Sequence, residues 1–387
     1  MKARVVGLVA AGLAALCGAP AVGEAQVTAG GAAARSAAGA AAGAARQLEI
    51  VPSLAGQKAA PVPPERARTA YLMVYFRDET HSLHIAVSRD GYTFTDVNGG
   101  QPVLSGRGIA EQQGIRDPHI VRGPDGAFYL SMTDLHIYAQ REGLRDTEWE
   151  RPKATHGWGN NRSLIFMKSR DLVQWTHAIV HVDRLFPETA NLSAAWAPET
   201  IYDPKARKMM VYYTTRDGAG TEHMVYSYAD DAFTTLTRPP QALFAYPKPN
   251  VGSIDGDITR IGGKFHLFYV AHERPGHLRQ AVSDRINGGY AFDPTPVDPE
   301  TVGTEAPNLW RRSGTDTYVL MYDVFGAKPN NMGFSETSDF KHFRNLGRFN
   351  EPGSPMKATN FAGPKHGAVM PITPAEADRL ERHFAAP

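Results

Sequence analysis

The sequence contains a single cysteine among 387 residues, Cys17, and it lies in an apolar segment near the N-terminus. A chain with one cysteine cannot form an intramolecular disulfide, and no Cys/His cluster or EF-hand loop indicates a metal. Charge of one sign is not in excess, because 41 Lys and Arg stand against 40 Asp and Glu. Without a basic stripe, no nucleic-acid partner is expected.

Long apolar runs are confined to the start of the chain. Residues 1–25 combine two basic residues with an apolar run over residues 5–16 and small residues after it. This order predicts a secretory signal peptide, and the run is too short and too rich in alanine to indicate a membrane span. We therefore expect a periplasmic or secreted protein with no membrane span in the mature chain. Lipid attachment at Cys17 is the alternative, disfavoured because Leu16 is bulky for the position before a lipidated cysteine.

Residues 26–69 are expected to precede the folded domain. Their first half is nearly all alanine and glycine, a composition that cannot bury enough apolar surface to fold, and it predicts a disordered linker. Their second half is rich in proline and predicts an extended arm lying on the domain. Residues 70–373 are expected to form that domain, and residues 374–387 a short helix and tail.

A repeated segment organises the predicted domain. Each copy has a polar or small residue beside Pro or Gly and then an apolar strand: GIRDPHIVR at 114–122, WAPETIY at 196–202, IDGDITR at 254–260, TEAPNLW at 304–310 and, more faintly, KHGAVMP at 365–371. A second apolar strand, rich in aromatic and β-branched residues, follows the first four copies. Each unit therefore predicts a small antiparallel sheet of three or four strands.

The two ends of the domain complete one further sheet. Residues 71–97 contain a second and a third strand but lack a first one, whereas the copy at 365–371 has only a first strand. Pairing the two gives an all-β fold, a five-bladed β-propeller closed by its N- and C-terminal segments. Radial closure hides the sheet edges. A β-sandwich of similar strands is the alternative.

Polar residues recur at the start of the first strands, which lie innermost in such a propeller. Corresponding residues should then converge at one end of the central channel. We expect four side chains to meet there: Asp117, Asp255, Glu305 and His366. A single Asp-Pro usually marks only a turn, but three carboxyl groups at repeated positions, framed by Trp196 and Trp310, predict a site.

These motifs resemble those of glycoside hydrolase family 43, five-bladed propeller glycosidases that include arabinofuranosidases and xylosidases. The resemblance covers about residues 70–373 and rests on the motifs at 116–118, 196–199, 255–257, 305–307 and 366–367. It implies that Asp117 is the general base, Glu305 the general acid, and Asp255 the residue that tunes and orients the acid. The family often has Asp-Pro where this chain has Asp-Gly-Asp, so Asp257 is the alternative to Asp255.

The chemistry of glycoside hydrolysis is consistent with this set. Inversion requires a protonated acid and an ionised base roughly 6.5–9.5 Å apart, whereas retention requires roughly 5–5.5 Å. Two positions across a narrow channel suit the longer separation. A third carboxylate near Glu305 would oppose its ionisation and keep it protonated.

Further side chains are candidates for binding. The long insertion at residues 136–162 is polar and aromatic, and loops of this length are usually functional. The candidate sugar contacts are Trp196, Trp158, His119 and Asn160. Packing is an equal alternative for Trp158, a structural role is favoured for His119, and Glu199 is expected to pack within its strand. The family resemblance makes His366 a candidate metal contact and leaves open a structural calcium in the channel, with no cofactor required.

The sequence thus predicts an exo-acting, inverting glycoside hydrolase. Its partner is a plant-type polysaccharide or oligosaccharide, with terminal α-L-arabinofuranosyl as the favoured sugar. A β-xylosidase or galactosidase of the same fold is the alternative. A retaining fructosidase is disfavoured because no Asn-Asp-Pro-Asn occurs near the start of the domain. A propeller that binds carbohydrate without cleaving it is disfavoured because all three carboxyl groups are present.

Overall fold

The computed structural model describes residues 46–385 except residues 59, 274 and 275. The predicted signal peptide, Cys17 and the Ala/Gly-rich segment as far as residue 45 lie outside the described residues. Among the helices of the described part, none is long and apolar enough to cross a membrane.

Short β-strands account for most of the regular structure. In chain order they are β1 (Glu49–Ile50), β2 (Ala70–Phe76), β3 (Leu83–Ser88), β4 (Thr93–Asp96), β5 (Ile115–Arg122), β6 (Phe128–Asp134), β7 (Ser163–Ser169), β8 (Gln174–His181), β9 (Leu192–Asp203), β10 (Lys208–Asp217), β11 (His223–Tyr228), β12 (Gln241–Phe244), β13 (Ser253–Ile261), β14 (Lys264–Ala271), β15 (His277–Ser283), β16 (Ala291–Pro296), β17 (Glu305–Arg311), β18 (Tyr318–Asp323), β19 (Met332–Thr337), β20 (Arg344–Arg348), β21 (Lys357–Ala358) and β22 (Lys365–Ile372). The helices are α1 (Gly106–Ile109), α2 (Lys153–His156), α3 (Val182–Leu185) and α4 (Pro374–Phe384), with 3₁₀ turns at Glu65–Ala67 and Pro187–Thr189.

The strands form five sheets, which are the blades of a β-propeller. From the axis outwards the first blade is β22-β2-β3-β4-β21, the second β5-β6-β7-β8-β1, the third β9-β10-β11-β12, the fourth β13-β14-β15-β16 and the fifth β17-β18-β19-β20. The innermost strands contact one another in a closed ring: β22, β5, β9, β13 and β17. The predicted five-bladed fold is confirmed.

Chain closure follows the predicted route. Strand β22 pairs antiparallel with β2, so the last strand of the propeller completes the first blade. Two outer strands, β1 and β21, add in parallel to the edges of the second and first blades. Each is only two residues long, too short to leave an alternating pattern in the sequence, and neither was predicted.

Five hydrophobic cores lie between adjacent blades, and they explain why the strands are apolar on both faces. In β2, Leu72 and Val74 pack into the core shared with the second blade, whereas Met73 and Tyr75 pack into the core shared with the fifth. Successive side chains of a strand point to opposite faces, so both faces of β2 are buried. Helix α4 begins with a capping box formed by Thr373 and Glu376 and covers one end of the first of these cores.

The closing strand tolerates no side chain at Gly367. A Cβ there would lie 2.2 Å from the backbone oxygen of Val74, and a backbone atom of a central strand cannot move away cheaply. We expect Gly367→Ala to lower the free energy of unfolding by about 2 kcal/mol or more, measured by urea denaturation. Gly108→Ala is the matched control, because a Cβ at that exposed position meets nothing within 4 Å. Equal midpoints for the two variants would contradict the expectation.

Candidate active site

Every innermost strand carries a β-bulge at the same place. Its pairing register shifts there in all five blades. One residue of each bulge has a positive φ: Asp117 (53°), Ala197 (46°), Asp255 (54°), Ala306 (60°) and His366 (21°). The next residue is always Pro or Gly. A bulge bends its strand and redirects side chains, so the same backbone device aims five side chains around the axis.

The bulges arrange the inner residues in three rings. The upper ring precedes the bulge and holds Arg116, Trp196, Ile254, Glu305 and Lys365. The middle ring is the positive-φ set itself. The lower ring follows the bulge and holds His119, Glu199, Asp257, Asn308 and Ala368. Glu305 was expected to correspond to Asp117 in the repeat, and this was wrong. Ala306 holds that position, and Glu305 lies one residue earlier, because the bulge and not the acidic residue defines the equivalent position in each blade.

A cavity of about 380 Å³ opens above these rings. Its lining residues are Arg116, Asp117, Leu135, Trp158, Trp196, Arg216, Glu222, Ile254, Asp255, His272, Glu305 and His366. The three carboxyl groups predicted from the repeats therefore share one cavity. Asp257 is not among the lining residues, so geometry favours Asp255 of the two alternatives.

Asp117 is held as a carboxylate. The hydroxyl of Thr133 donates a hydrogen bond of 2.8 Å to its Oδ2, and Nδ1 of His366 lies 3.2 Å from its Oδ1. Burial acts to raise the pKa of Asp117, but the charge and hydrogen bond of His366, with Arg116 and Thr133, outweigh it and hold that pKa below its usual range. A carboxylate that is ionised at neutral pH can accept a proton from water.

His366 joins two of the carboxyl groups. Its Nδ1 lies 3.9 Å from Oδ2 of Asp255 as well as beside Asp117. Burial acts to lower the pKa of His366, but these carboxylates raise it to about 9. Burial raises the pKa of Asp255 to about 7, with His366 opposing the rise and the carboxylates of Glu305 and Asp117 adding to it. The imidazolium of His366 thus balances the negative charge of the other titratable members of the middle ring, Asp117 and Asp255.

Glu305 lies at the cavity edge with its side chain 27% exposed. Its Oε1 is 3.7 Å from Nζ of Lys365, the neighbouring member of the upper ring. Across the blade it pairs with Asp323 on β18. Neither Lys365 nor Asp323 was predicted as a site residue. Lys365 opens the faintest copy of the repeat, and Asp323 lies outside the repeated motifs.

Two tryptophans form one wall of the cavity. Trp158, in the 136–162 insertion, is 47% exposed, and its ring meets that of Trp196 edge-on at 6.0 Å. The indole N–H of Trp196 donates to the carbonyl of Gly159, and the guanidinium of Arg216 lies 4.8 Å from its ring centroid. The predicted positions of both tryptophans suit contact with a sugar face.

A polar cluster that the sequence did not reveal completes this wall. Arg216 donates to Oε1 of Glu222 and to the carbonyls of residues 156 and 158, each at 2.8 Å. Nδ1 of His272 lies 3.7 Å from the other oxygen of Glu222. The neighbouring carboxylate of Glu222 raises the pKa of His272, with burial opposing it. The cluster comes from hairpin ends outside the repeat motifs, so sequence spacing gave no signal.

Asn160 does not line the cavity, contrary to its prediction as a sugar contact. Its side chain is buried, accepts a hydrogen bond from the N–H of Arg151 and donates to the carbonyls of Arg151 and Gly157. All of its polar groups serve the 136–162 loop. A buried asparagine with such bonds fixes loop shape.

His119 also lies outside the cavity lining, in the lower ring, contrary to its prediction as a sugar contact and in agreement with the structural role that was favoured for it. Its Nδ1 accepts from the N–H of Thr200 at 3.2 Å, so it links two blades. In the same way the N–H of Leu309 donates to Asp257 and the N–H of Val369 donates to Asn308. The lower ring therefore ties neighbouring blades together beneath the site.

The donors present do not suit the predicted metal contact. Nδ1 of His366 lies 3.2 Å from Oδ1 of Asp117 and 3.9 Å from Oδ2 of Asp255, so it faces these carboxyl groups and not an open position. In the lower ring, ligand atoms of His119, Glu199 and Asp257 lie within 4.8 Å of one another. Burial, reinforced by the charge of Asp257, raises the pKa of Glu199, whose Oε2 already accepts from Tyr212 at 2.7 Å. Calcium usually takes about six to eight oxygen ligands, whereas these three side chains offer one imidazole and two carboxyl groups. Calcium stays a prediction from the family resemblance, and no step is assigned to it.

Comparison with known proteins places the chain. A family model described as a probable glycosyl hydrolase domain, in the group related to glycoside hydrolase family 43, matches residues 67–378. An α-L-arabinofuranosidase of Bifidobacterium longum subsp. longum is 24% identical over 249 residues, which are 57% of this chain and 21% of that protein. This chain thus spans about a fifth of that relative's length.

Solved structures share the fold. The xylan β-1,4-xylosidase from Bacillus halodurans C-125 has a TM-score of 0.50 at 14% identity, covering 75% of this chain and 54% of that one. The catalytic domain of a family 62 α-L-arabinofuranosidase from Coprinopsis cinerea has a TM-score of 0.46 at 17% identity, covering 70% and 80%. At 14% identity the likeness to the xylosidase shows the fold alone.

Proposed function

The chain belongs to the family of probable glycosyl hydrolase domains related to glycoside hydrolase family 43, and on that premise we propose that it is an exo-acting, inverting glycosidase. The observation that carries the proposal is the convergence of Asp117, Asp255 and Glu305 on one cavity beside an aromatic wall. Paired carboxyl groups with different surroundings are what general acid–base cleavage of a glycosidic bond requires.

The proposed roles follow from the surroundings. Asp117, held ionised by His366, removes a proton from the attacking water. Glu305 gives its proton to the leaving oxygen as the bond from that oxygen to the anomeric carbon breaks. Asp255 lies near Glu305, and in its ionised form its charge favours the protonated form of the acid. A single water therefore attacks from the Asp117 side, and the anomeric configuration inverts.

The proposed substrate is a terminal α-L-arabinofuranosyl group on a plant-type polysaccharide or oligosaccharide. The curated arabinofuranosidase relative supports this sugar. The 136–162 insertion walls the cavity with Trp158, which supports attack at chain ends rather than at internal bonds. We further propose that the predicted signal peptide directs the enzyme to the periplasm or the exterior, where such polysaccharide occurs.

The test is an assay of purified protein on 4-nitrophenyl α-L-arabinofuranoside, β-xyloside and β-galactoside. NMR of the product during the first minutes reports its anomeric configuration. Arabinose released with inversion supports the whole proposal. Preferential release of xylose or galactose would mean that the substrate is a xyloside or a galactoside instead of an arabinofuranoside. A product of retained configuration would refute the water-activating role of Asp117, and binding without hydrolysis of any glycoside would refute the enzyme.

The pH profile tests the link between His366 and the base. Removing the imidazolium by His366→Gln should raise the pKa of Asp117, because the main group that lowers it is gone. The acidic limb of kcat/KM, which reports the base of the free enzyme, should then move upwards by about one unit or more.

The matched control is His342→Gln. His342 also pairs with an aspartate, at 2.7 Å from Asp339, but it is exposed on the fifth blade and away from the cavity. Its profile should match that of the wild type. An unmoved acidic limb in His366→Gln would contradict the assignment of Asp117.

A further inference from the structure

We propose that Lys365 is a positioning residue for the acid, and that Lys365 and Asp323 act in opposite directions on the proton transfer from Glu305 to the leaving oxygen. This inference rests on the proposed function, because it adds partners to the acid assigned there. It is carried by a buried ion cluster at the cavity edge.

The cluster has one ammonium among three carboxyl groups. Nζ of Lys365 lies 3.7 Å from Oε1 of Glu305, 3.4 Å from Oδ2 of Asp323 and 3.7 Å from Oδ2 of Asp78. The side chain of Lys365 is 9% exposed. Asp78 is also bound by Arg116, whose Nη1 donates to it at 2.8 Å. Lys365 is therefore shared chiefly between Glu305 and Asp323.

Asp323 is an unusual residue for its position. Its side chain is fully buried, and among the described residues neither carboxyl oxygen has a hydrogen-bond partner. A buried carboxylate without such bonds is costly unless it has a charge partner, and Lys365 is that partner. Burial raises the pKa of Asp323 to about 7, with Lys365 opposing the rise.

The equivalent residues of the other blades show which side chains the fold itself requires at the position of Asp323. The residue that pairs across from the upper ring is Thr133 in the second blade, Thr214 in the third, Val270 in the fourth and Phe76 in the first. A carboxyl group occurs only in the blade that supplies Glu305. Packing and backbone bonding are thus met by neutral side chains, and the charge of Asp323 points to an effect on Glu305.

Opposite charges beside Glu305 predict opposite effects. The Lys365 ammonium stabilises the carboxylate that remains after Glu305 has given its proton to the leaving oxygen. Ionised Asp323 partly neutralises that ammonium. The charged or titratable groups that face Glu305 or Lys365 from neighbouring elements are Lys365 and His366 on β22, Asp323 on β18, Asp255 on β13, Arg116 on β5, His272 after β14 and Asp78 after β2.

The effect of Lys365 on proton transfer can be measured by comparing substrates whose leaving groups differ in pKa. Lys365→Met removes the charge at similar length, so a poor leaving group should suffer more than a good one. We expect kcat/KM to fall about tenfold more for phenyl than for 4-nitrophenyl α-L-arabinofuranoside. The alkaline limb of the pH profile should also move upwards by about one unit.

Asp323→Asn should move the alkaline limb in the other direction, downwards by about one unit, because Lys365 then has no charged Asp323 beside it and acts more strongly on Glu305. Lys365→Arg keeps the charge and should restore the wild-type leaving-group dependence. Lys168→Met is the matched control, a buried lysine 3.0 Å from Asp125 and outside the cavity lining.

The outcomes separate this inference from the proposed function. Equal losses on both aryl glycosides with unmoved limbs would show that the cluster is only structural. If Lys365→Met does not fold, the direction of the Asp323→Asn shift decides. A wild-type protein that cleaves neither glycoside nor the xyloside and galactoside removes the function and the inference together, whereas an active wild type with unshifted variants removes the inference alone.

Discussion

Asp117→Asn is expected to fold normally and to lose roughly 100- to 10,000-fold in kcat, the contribution of a positioned general base. Asparagine is nearly the same size, and its side-chain oxygen still accepts the hydrogen bond that Thr133 gives to Asp117. It cannot accept a proton from water. The loss should be the same for good and poor leaving groups, because water activation does not depend on them.

The measurements are kcat on two aryl α-L-arabinofuranosides and the thermal midpoint. Asp203→Asn is the matched control. Asp203 is a buried aspartate that accepts a 2.5 Å hydrogen bond from Tyr228, and it lies at the opposite end of an innermost strand from the site. A variant at Asp117 that keeps more than about a tenth of wild-type activity would refute its role as base.

Glu305→Gln should show a loss of similar size that depends on the leaving group. Glutamine cannot supply the proton, so a sugar or phenol of high pKa departs slowly, with a loss of roughly 100- to 10,000-fold. A nitrophenolate departs without full protonation, and the loss on it should be much smaller. The alkaline limb assigned to the acid should disappear from the pH profile of the variant.

The comparison that tests this is kcat/KM on an arabino-oligosaccharide against 4-nitrophenyl arabinofuranoside. Glu222→Gln serves as a comparison at another cavity carboxylate, which is bound by Arg216 and has no proposed role in proton transfer. Its loss should not depend on the leaving group. Equal losses on both substrates for Glu305→Gln would assign the acid to another residue.

The fold could be predicted from the sequence because the repeat is itself the unit of structure. Strands buried on both faces read as continuous apolar runs, and a missing first strand at one end matched a lone strand at the other. The convergence of Asp117, Asp255 and Glu305 followed from symmetry alone. Symmetry does not show which of two adjacent residues in a copy occupies the position equivalent to Asp117.

The β-bulges determine which residue of each copy occupies the equivalent position. A bulge inserts a residue into one strand, so it breaks the alternation on which a side-chain prediction rests. The Pro or Gly that follows each positive-φ residue is a sequence signal of the bulge. When the copies are superimposed on that Pro or Gly, Ala306 and not Glu305 is equivalent to Asp117.

The non-repeated partners could not be predicted at all. Arg216, Glu222 and His272 come from hairpin ends of different blades, and Asp323 sits in an apolar second strand. Their meeting depends on the packing of blades in space. The prediction of Asn160 as a sugar contact was wrong for another reason. The sequence does not show whether a polar side chain in a loop faces a ligand or the backbone of its own loop.

The closing strand has a consequence for biosynthesis. Lys365 and His366 both belong to β22, the strand that is synthesised after every other blade strand. Until it docks on β2, Asp117, Asp255 and Glu305 have neither of these cations among them, and their mutual repulsion opposes assembly of the pore. A polypeptide that lacks β22 therefore lacks both cations of the site, and we expect it to show no hydrolytic activity.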